Sequence, residues 1–129
     1  MDFSELDYNA QSSVSHEMQI NNIKTGEPVD SYLSFIGTDS DTFTNAQGDL
    51  LREMRAGDVD LNSMTSEQSL KYNVGILTRC CTGVRSISID GRELTTNSED
   101  LEAFFTQFKW VIPQCLDFIR NDELFLMSA

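Results

Sequence analysis

Cysteine and histidine are the residues in this chain whose types could support nucleophilic catalysis. The only histidine is His16, in a polar N-terminal stretch, and the cysteines are Cys80, Cys81 and Cys115. A thiolate nucleophile needs a base beside it, and Cys81 and Cys115 fall in register with apolar residues at helical spacing, as small buried hydrophobes do. A Ser-His-Asp triad would likewise depend on His16. The adjacent cysteines Cys80 and Cys81 also lack the two-residue gap that separates the cysteines of zinc sites and thioredoxin-type motifs. The sequence therefore predicts no catalytic residue and no zinc site.

Carboxylates at regular spacing raise the question of calcium binding. Asp58, Asp60 and Asn62 match the first, third and fifth positions of an EF-hand loop. Ser63 stands where that loop needs glycine, and Ser69 stands where it needs a bidentate glutamate. The segment is therefore predicted to form a turn or a helix cap, which favour Asp, Asn and Ser. No metal ligand is predicted, and the scattered glycines form no phosphate cradle, so no cofactor is predicted.

Charge excludes several classes of partner. The chain has 129 residues, which suits one domain, and nine Lys and Arg against twenty-one Asp and Glu give a net charge of −12. Nucleic acid and anionic membranes bind cationic surfaces, so neither is an expected partner. The sequence has no apolar run that could cross a bilayer and no signal peptide, and its odd cysteine count suits a reducing compartment. We therefore expect a soluble protein of the cytoplasm.

The N-terminal third is predicted to contain an arm and a hairpin. Residues 1–17 are acidic and lack apolar periodicity, which predicts a flexible arm. Residues 18–129 are predicted to form a single, mainly helical domain of the α+β class, with a short N-terminal β-hairpin. Its strands are expected at residues 18–23 and 32–36, joined through a turn at Gly26-Glu27-Pro28.

Helices are predicted to fill most of the remainder. The first begins near Thr38 or Ser40, where a hydroxyl could cap it, and ends at Gly57, a residue suited to a left-handed cap. The second begins with the capping-box pattern of Thr65 and Gln68. Its apolar stripe predicts helix as far as residue 84: Leu70, Val74, Leu77, Cys81 and Val84.

The C-terminal part is predicted to contain an extended piece and further helix. Alternation over residues 84–89 and the dipeptide Asp90-Gly91 predict a short extended segment and a turn. A second capping box, from Thr96 to Glu99, predicts the next helix. Pro113 predicts a kink or a new helical start.

An aromatic cluster on this last helical stretch is the candidate partner-binding surface. Phe104 and Phe105 are adjacent and therefore lie about 100° apart on a helix. With Phe108 and Trp110 they present more apolar area than one stripe can bury, so part of the cluster is expected to contact a partner. The alternative, that all four belong to the core, is also open, because aromatic residues dominate cores as well as interfaces.

The order of these features resembles the tail assembly chaperones of long-tailed, lambdoid-type bacteriophages. The resemblance is carried by the first turn (TGEP), by the approach to the first helix with Phe43 (FIGTDS), and by the C-terminal run (QCLDFIRNDELF), at residues 25–28, 35–40 and 114–125. It covers most of residues 18–126, and the arm before residue 18 has no clear counterpart. The resemblance implies a mainly helical protein that acts in the bacterial host cytoplasm and is absent from the mature virion.

The resemblance also implies partners. Such chaperones bind the tape measure protein, keep it in solution, help to recruit tail tube subunits, and associate with further copies of themselves. We expect a non-catalytic protein of this kind, with no nucleic-acid or membrane partner. Two alternatives are open: an acidic interaction protein that mimics nucleic acid or antagonises a basic host protein, and a small enzyme or metal protein.

Overall fold

A three-stranded antiparallel sheet begins the fold. The structure is a computed structural model that describes Asp2 and residues 14–121. The strands are β1 (His16–Asn21), β2 (Pro28–Phe35) and β3 (Cys81–Arg85), in the order β1-β2-β3. The predicted N-terminal hairpin is confirmed, but β1 begins two residues and β2 four residues earlier than expected, and Ile23 lies in the turn after β1. The rest of the predicted arm, except Asp2, Val14 and Ser15, lies outside the described residues.

The hairpin turn depends on a glycine with a left-handed backbone. Gly26 has φ +71°, a conformation that costs glycine little because it has no Cβ. The Gly26 amide donates to the Asn22 carbonyl at 2.7 Å, and the Asn22 amide donates to the Glu27 carbonyl at 2.8 Å. Pro28, which has no amide hydrogen to donate, then occupies the first position of β2, where strands tolerate proline.

The two faces of the sheet differ in chemistry. Met18 and Leu33 pair across β1 and β2 and are buried in the core. On the opposite face, Arg85 of β3 reaches across β2 and donates two hydrogen bonds to the Glu17 carboxylate, at 3.0 and 2.7 Å. Its guanidinium also lies 3.8 Å from the centre of the Tyr32 ring. These contacts join the two outer strands, and the Arg85 hydrogen bonds lower the pKa of Glu17.

The first helix, α1 (Asp41–Ala56), begins where the sequence predicts. The Ser40 hydroxyl accepts the Phe43 amide at 3.1 Å and caps the helix. The prediction of a left-handed cap at Gly57 is wrong, because Gly57 has φ −91° and the left-handed residue is Asp58, with φ +60°. Aspartate tolerates this conformation better than most residues do.

The second helix, α2 (Ser66–Cys80), has the predicted capping box. The Gln68 amide donates to the Thr65 hydroxyl at 3.1 Å, and the Thr65 amide donates to the Gln68 side-chain oxygen at 3.0 Å. The prediction that this helix extends to Val84 is wrong, since the chain becomes β3 at Cys81.

The reason for this early end lies in both the local sequence and the sheet. Residues 82–84 are Thr, Gly and Val, which all have low helix propensity. The free edge of β2 offers them a ladder of backbone hydrogen bonds, in which Leu33 faces Val84. Val84 therefore still packs against the core, but from a strand.

A tight hairpin connects the sheet to the remaining helices. Strands β4 (Ser88–Ile89) and β5 (Arg92–Glu93) flank Asp90 and Gly91, which both have positive φ (+52° and +81°). Two such residues in succession match a type I′ turn, which suits the twist of a hairpin. The predicted turn is confirmed.

Two short helices end the described chain. The helix α3 (Ser98–Gln107) is capped by Asn97, whose side chain accepts the Glu99 amide at 2.9 Å, so the predicted cap at Thr96 is wrong by one residue. A 3₁₀ turn (Lys109–Val111) leads into α4 (Ile112–Ile119). Pro113 lies in the first turn of α4, as its missing amide hydrogen allows.

The core lies between the inner face of the sheet and the helices, and the α+β architecture with an N-terminal hairpin is the predicted one. Its largest fully buried side chains come from both layers: Phe35, Phe105, Leu33, Leu77, Leu101 and Ile119. None of the helices in residues 14–121 combines the length and hydropathy that crossing a membrane requires.

Candidate functional site

A concave surface lies on the helical side of the described residues. It consists of two neighbouring hollows of about 520 and 580 Å³, lined by side chains of α1 and α2 and, at one end, of α3. Both hollows share Leu50, Glu53, Glu67 and Lys71. We call this surface the helical groove.

A glycine sets the depth of the helical groove. A Cβ built on Gly75 would lie 2.7 Å from Leu50 Cδ2, closer than real carbon atoms approach. The absence of a side chain on α2 therefore lets Leu50 of α1 pack directly over the α2 backbone. Leu70 and Val74 of α2 lie beside Leu50, and these three side chains make the floor of the groove apolar.

The rim of the helical groove carries both signs of charge. Glu53 and Arg79 form an ion pair at 3.6 Å across α1 and α2, and both side chains are well exposed. Glu67, Lys71 and Glu102 form no ion pair within the described part of the chain. An apolar floor with unpaired charges at its edges suits an amphipathic helix, whose apolar stripe is flanked by charged residues.

The structure separates the four aromatic residues predicted to bind a partner. Phe104 and Phe105 are buried, 5% and 0% exposed, with ring centres 5.3 Å apart in an edge-to-face arrangement. Phe108 is half-buried with its ring 5.3 Å from that of Phe104, whereas Trp110 is 36% exposed. Phe104 and Phe105 therefore belong to the core, as the alternative interpretation expects, and are not accessible to a partner. A partner contact through this group stays a prediction, now centred on Trp110.

The burial of both adjacent phenylalanines has a simple cause. Residues on successive helical positions face different directions, so both are buried only if the helix is covered on two sides. Here α3 packs against α2, and the ring of Phe108, just before the 3₁₀ turn, lies 5.3 Å from that of Phe104. Sequence periodicity cannot show that second layer of cover.

The cysteines have the core role that the sequence predicts. All three are buried, and burial raises the pKa of Cys80 and of Cys81 to about 11 and that of Cys115 further still. His16 and Cys81 both pair with Phe35, from opposite sides of β2, so they lie two strand spacings apart, about 9–10 Å. This arrangement does not bring a thiol and an imidazole together.

The acidic segment after α1 is a turn. Asp60 accepts the Asn62 amide at 3.0 Å and the Ser63 hydroxyl at 2.7 Å. The Ser63 and Asn62 hydrogen bonds lower the pKa of Asp60. In residues 14–121 no three His, Cys, Asp or Glu side chains converge as a metal site would require.

Sequence reasoning identified the floor of the helical groove only as core. Leu50, Leu70 and Val74 were expected at helix packing positions, which is correct: Leu50 and Val74 are 8% and 6% exposed, and Leu70, which is half-buried, is the most accessible of the three. The available signal was Gly75, because a glycine inside a helix often marks a close approach of another element.

Comparison with known proteins adds no relative. No protein-family model, no curated protein and no solved structure matches this chain.

Proposed function

We propose that this chain is a bacteriophage tail assembly chaperone that binds and solubilises the tape measure protein and helps to recruit tail tube subunits. In this proposal it acts in the host cytoplasm without catalysis, associates with further copies of itself, and is absent from the mature virion. The proposal rests on the resemblance of residues 18–126 to that family. The helical groove is the observation that best supports it.

The chemistry of the helical groove fits a long helical client. A tape measure helix exposes apolar residues before its tail is assembled, and such a helix needs a cover that does not itself aggregate. Leu70 and Val74 supply apolar contact area, and Glu67, Lys71 and Glu102 can pair with charges that flank an apolar stripe. The net charge of −12 favours solubility, because separate complexes of chaperone and client repel each other.

Co-expression with the cognate tape measure protein tests this function. The chaperone should raise the soluble fraction of the tape measure protein and elute with it on gel filtration. Leu70→Gln, which places an amide on the groove floor, should abolish this effect. Leu116→Gln is the matched control, since Leu116 is also a half-buried helical leucine but does not line the helical groove. Thermal unfolding of both variants verifies that they fold.

Two results would contradict the proposal. An unchanged pellet, with no complex on gel filtration, would exclude the chaperone function. Full binding in both variants, with an affinity that falls steeply as salt rises, would indicate an acidic antagonist of a basic protein, because exposed charge pairs are screened by salt.

A further inference from the structure

The outer edge of β1 faces α4 across a shallow depression on another side of the molecule. Strand β1 contributes Glu17, Met18, Gln19 and Asn21 to its lining. Helix α4 contributes Gln114, Asp117 and Phe118, and Asn121 follows from the segment after α4. The cavity volume is about 500 Å³. We call this surface the β1 edge groove.

One side chain already binds this edge as a neighbouring strand would. The Asn21 amide donates to Gln114 Oε1 at 2.9 Å, and Gln114 Nε2 donates to the Asn21 carbonyl at 2.8 Å. A carboxamide carries the same donor and acceptor as a peptide bond, so Gln114 takes the place of one peptide unit. These two bonds show that the backbone of Asn21 is directed away from β2 and towards α4.

The remainder of this edge is open. Beyond Asn21, the backbone of residues 17–19 has no second strand beside it in the described part of the chain, because β1 is the outer strand. An unpaired edge of this kind offers backbone donors and acceptors to an added strand. The buried Met18 gives the β1 edge groove an apolar element of its floor.

The charge of the β1 edge groove indicates which kind of segment it can bind. Its lining contains two carboxylates and no cationic side chain. Glu17 is bound to Arg85, whereas Asp117 is exposed and forms no ion pair within the described residues. A second copy of this chain would bring another −12 charge against this acidic edge, which disfavours contact at the β1 edge groove and leaves association through other surfaces unaffected. Residues 122 and 123, Asp and Glu, make the chain's own C-terminal segment a poor electrostatic match as well.

We propose that the β1 edge groove binds an extended, basic segment of another protein by adding it as a fourth strand beside β1. Backbone hydrogen bonds hold the segment, Asp117 pairs with one of its Lys or Arg side chains, and Gln114 marks the end of the open edge. This site is separate from the helical groove and does not depend on the function proposed for it.

A model peptide of alternating Val and Lys, eight residues long and blocked at both ends, is the probe. Its binding to the full chain is measured by fluorescence anisotropy of a dye on the peptide. Two control peptides carry either Glu in place of Lys or N-methyl groups on every backbone amide, so that neither edge of the peptide can donate to β1. We expect the basic peptide to bind and both controls to fail, since one lacks the charge and the other cannot complete a strand ladder.

Two charge reversals in the protein locate the site. Asp117→Lys should weaken binding about fivefold to tenfold, because an exposed attraction is replaced by a repulsion of similar size. Glu102→Lys changes the same charge at the helical groove and should leave the affinity within about twofold of wild type, apart from long-range screening. Circular dichroism verifies the fold of both variants.

Each contrary result overturns the proposal. Equal binding of the N-methylated peptide would mean attraction by charge alone, and an effect confined to Glu102→Lys would place the peptide in the helical groove. Absence of binding would mean that Gln114 and the irregular pairing after Gln19 close the edge. Binding seen only after removal of residues 122–129 would mean that the chain's own C-terminal segment occupies the edge. A dimer that Gln19→Pro dissociates would mean that a second copy of the chain occupies it.

Discussion

Replacing Phe105 by alanine should remove a large part of the folding free energy, whereas the same change at Trp110 should not. The Phe105 side chain is fully buried and packs edge-to-face against Phe104, so its removal leaves a cavity. Such Phe-to-Ala changes cost about 3–5 kcal/mol, against a typical total of about 5–15 kcal/mol for a domain. Trp110 is 36% exposed, and its removal opens the surface without a closed cavity. We expect a cost of about 1–2 kcal/mol there, from lost apolar burial.

Urea unfolding followed by circular dichroism measures this difference. With a dependence on urea of about 1–3 kcal/mol per molar, Phe105→Ala should lower the midpoint by about 2 M. The slope should stay unchanged, since both variants expose similar area on unfolding. Trp110 is the only tryptophan, so its fluorescence also reports unfolding in the wild type and in Phe105→Ala.

Phe105→Leu is the control, because it keeps an apolar side chain in the core and should cost less than Phe105→Ala. A loss below about 1 kcal/mol for Phe105→Ala would refute the assignment of Phe105 to the core. Equal losses at Phe105 and Trp110 would refute the distinction between the two sites.

If Trp110 contacts the tape measure protein, Trp110→Ala should stay folded and lose affinity, often by about 2 kcal/mol at a hot spot. Unchanged binding would exclude that contact.

Three further predictions concern other parts of the fold. Arg85→Gln should raise the pKa of Glu17 towards its ordinary 4.5, as measured by carboxyl NMR titration, because the guanidinium hydrogen bonds hold that pKa down. The stabilising effect of these hydrogen bonds is present above pH 4.5 and is lost as the pH falls through the lowered pKa of Glu17. A Glu17 pKa that is the same in the variant and in the wild type would contradict the pairing. Burial raises the pKa of Cys81 from 9.0 to about 11, so the thiol ionises at lower pH in the unfolded chain than in the native one. Stability to urea should therefore fall as the pH rises from 9 towards 11. The native thiol should also react slowly with iodoacetamide. Asn97→Ala should cost about 1 kcal/mol in urea unfolding and Thr96→Ala less than about 0.5 kcal/mol, and equal costs would contradict the cap.

The sequence alone determined the features that depend on a few neighbouring residues. The cap at Thr65, and a cap at either Thr38 or Ser40, were predicted because a hydroxyl and an amide two or three positions later meet in any chain that enters a helix there. The Asp90-Gly91 turn and the helical restart at Pro113 follow equally from the backbone conformations that these residues allow. The cap at Asn97 was missed by one residue, because Thr96 and Asn97 are both good caps and local chemistry does not choose between them.

Tertiary structure decided the features that depend on distant residues. Cys81 and Val84 fit a helical stripe as well as a strand, and the free edge of β2 made this segment a strand where its apolar pattern alone indicated helix. Likewise, only the packing of α3 on two sides determined that Phe105 is buried.

Both candidate surfaces were also decided at the tertiary level. The helical groove exists because Gly75 meets Leu50, 25 positions away, and the β1 edge groove ends where Gln114 meets Asn21, 93 positions away. Periodicity shows which side of an element is apolar. It does not show which other element covers that side, because cover depends on contacts that form only when the whole chain has packed.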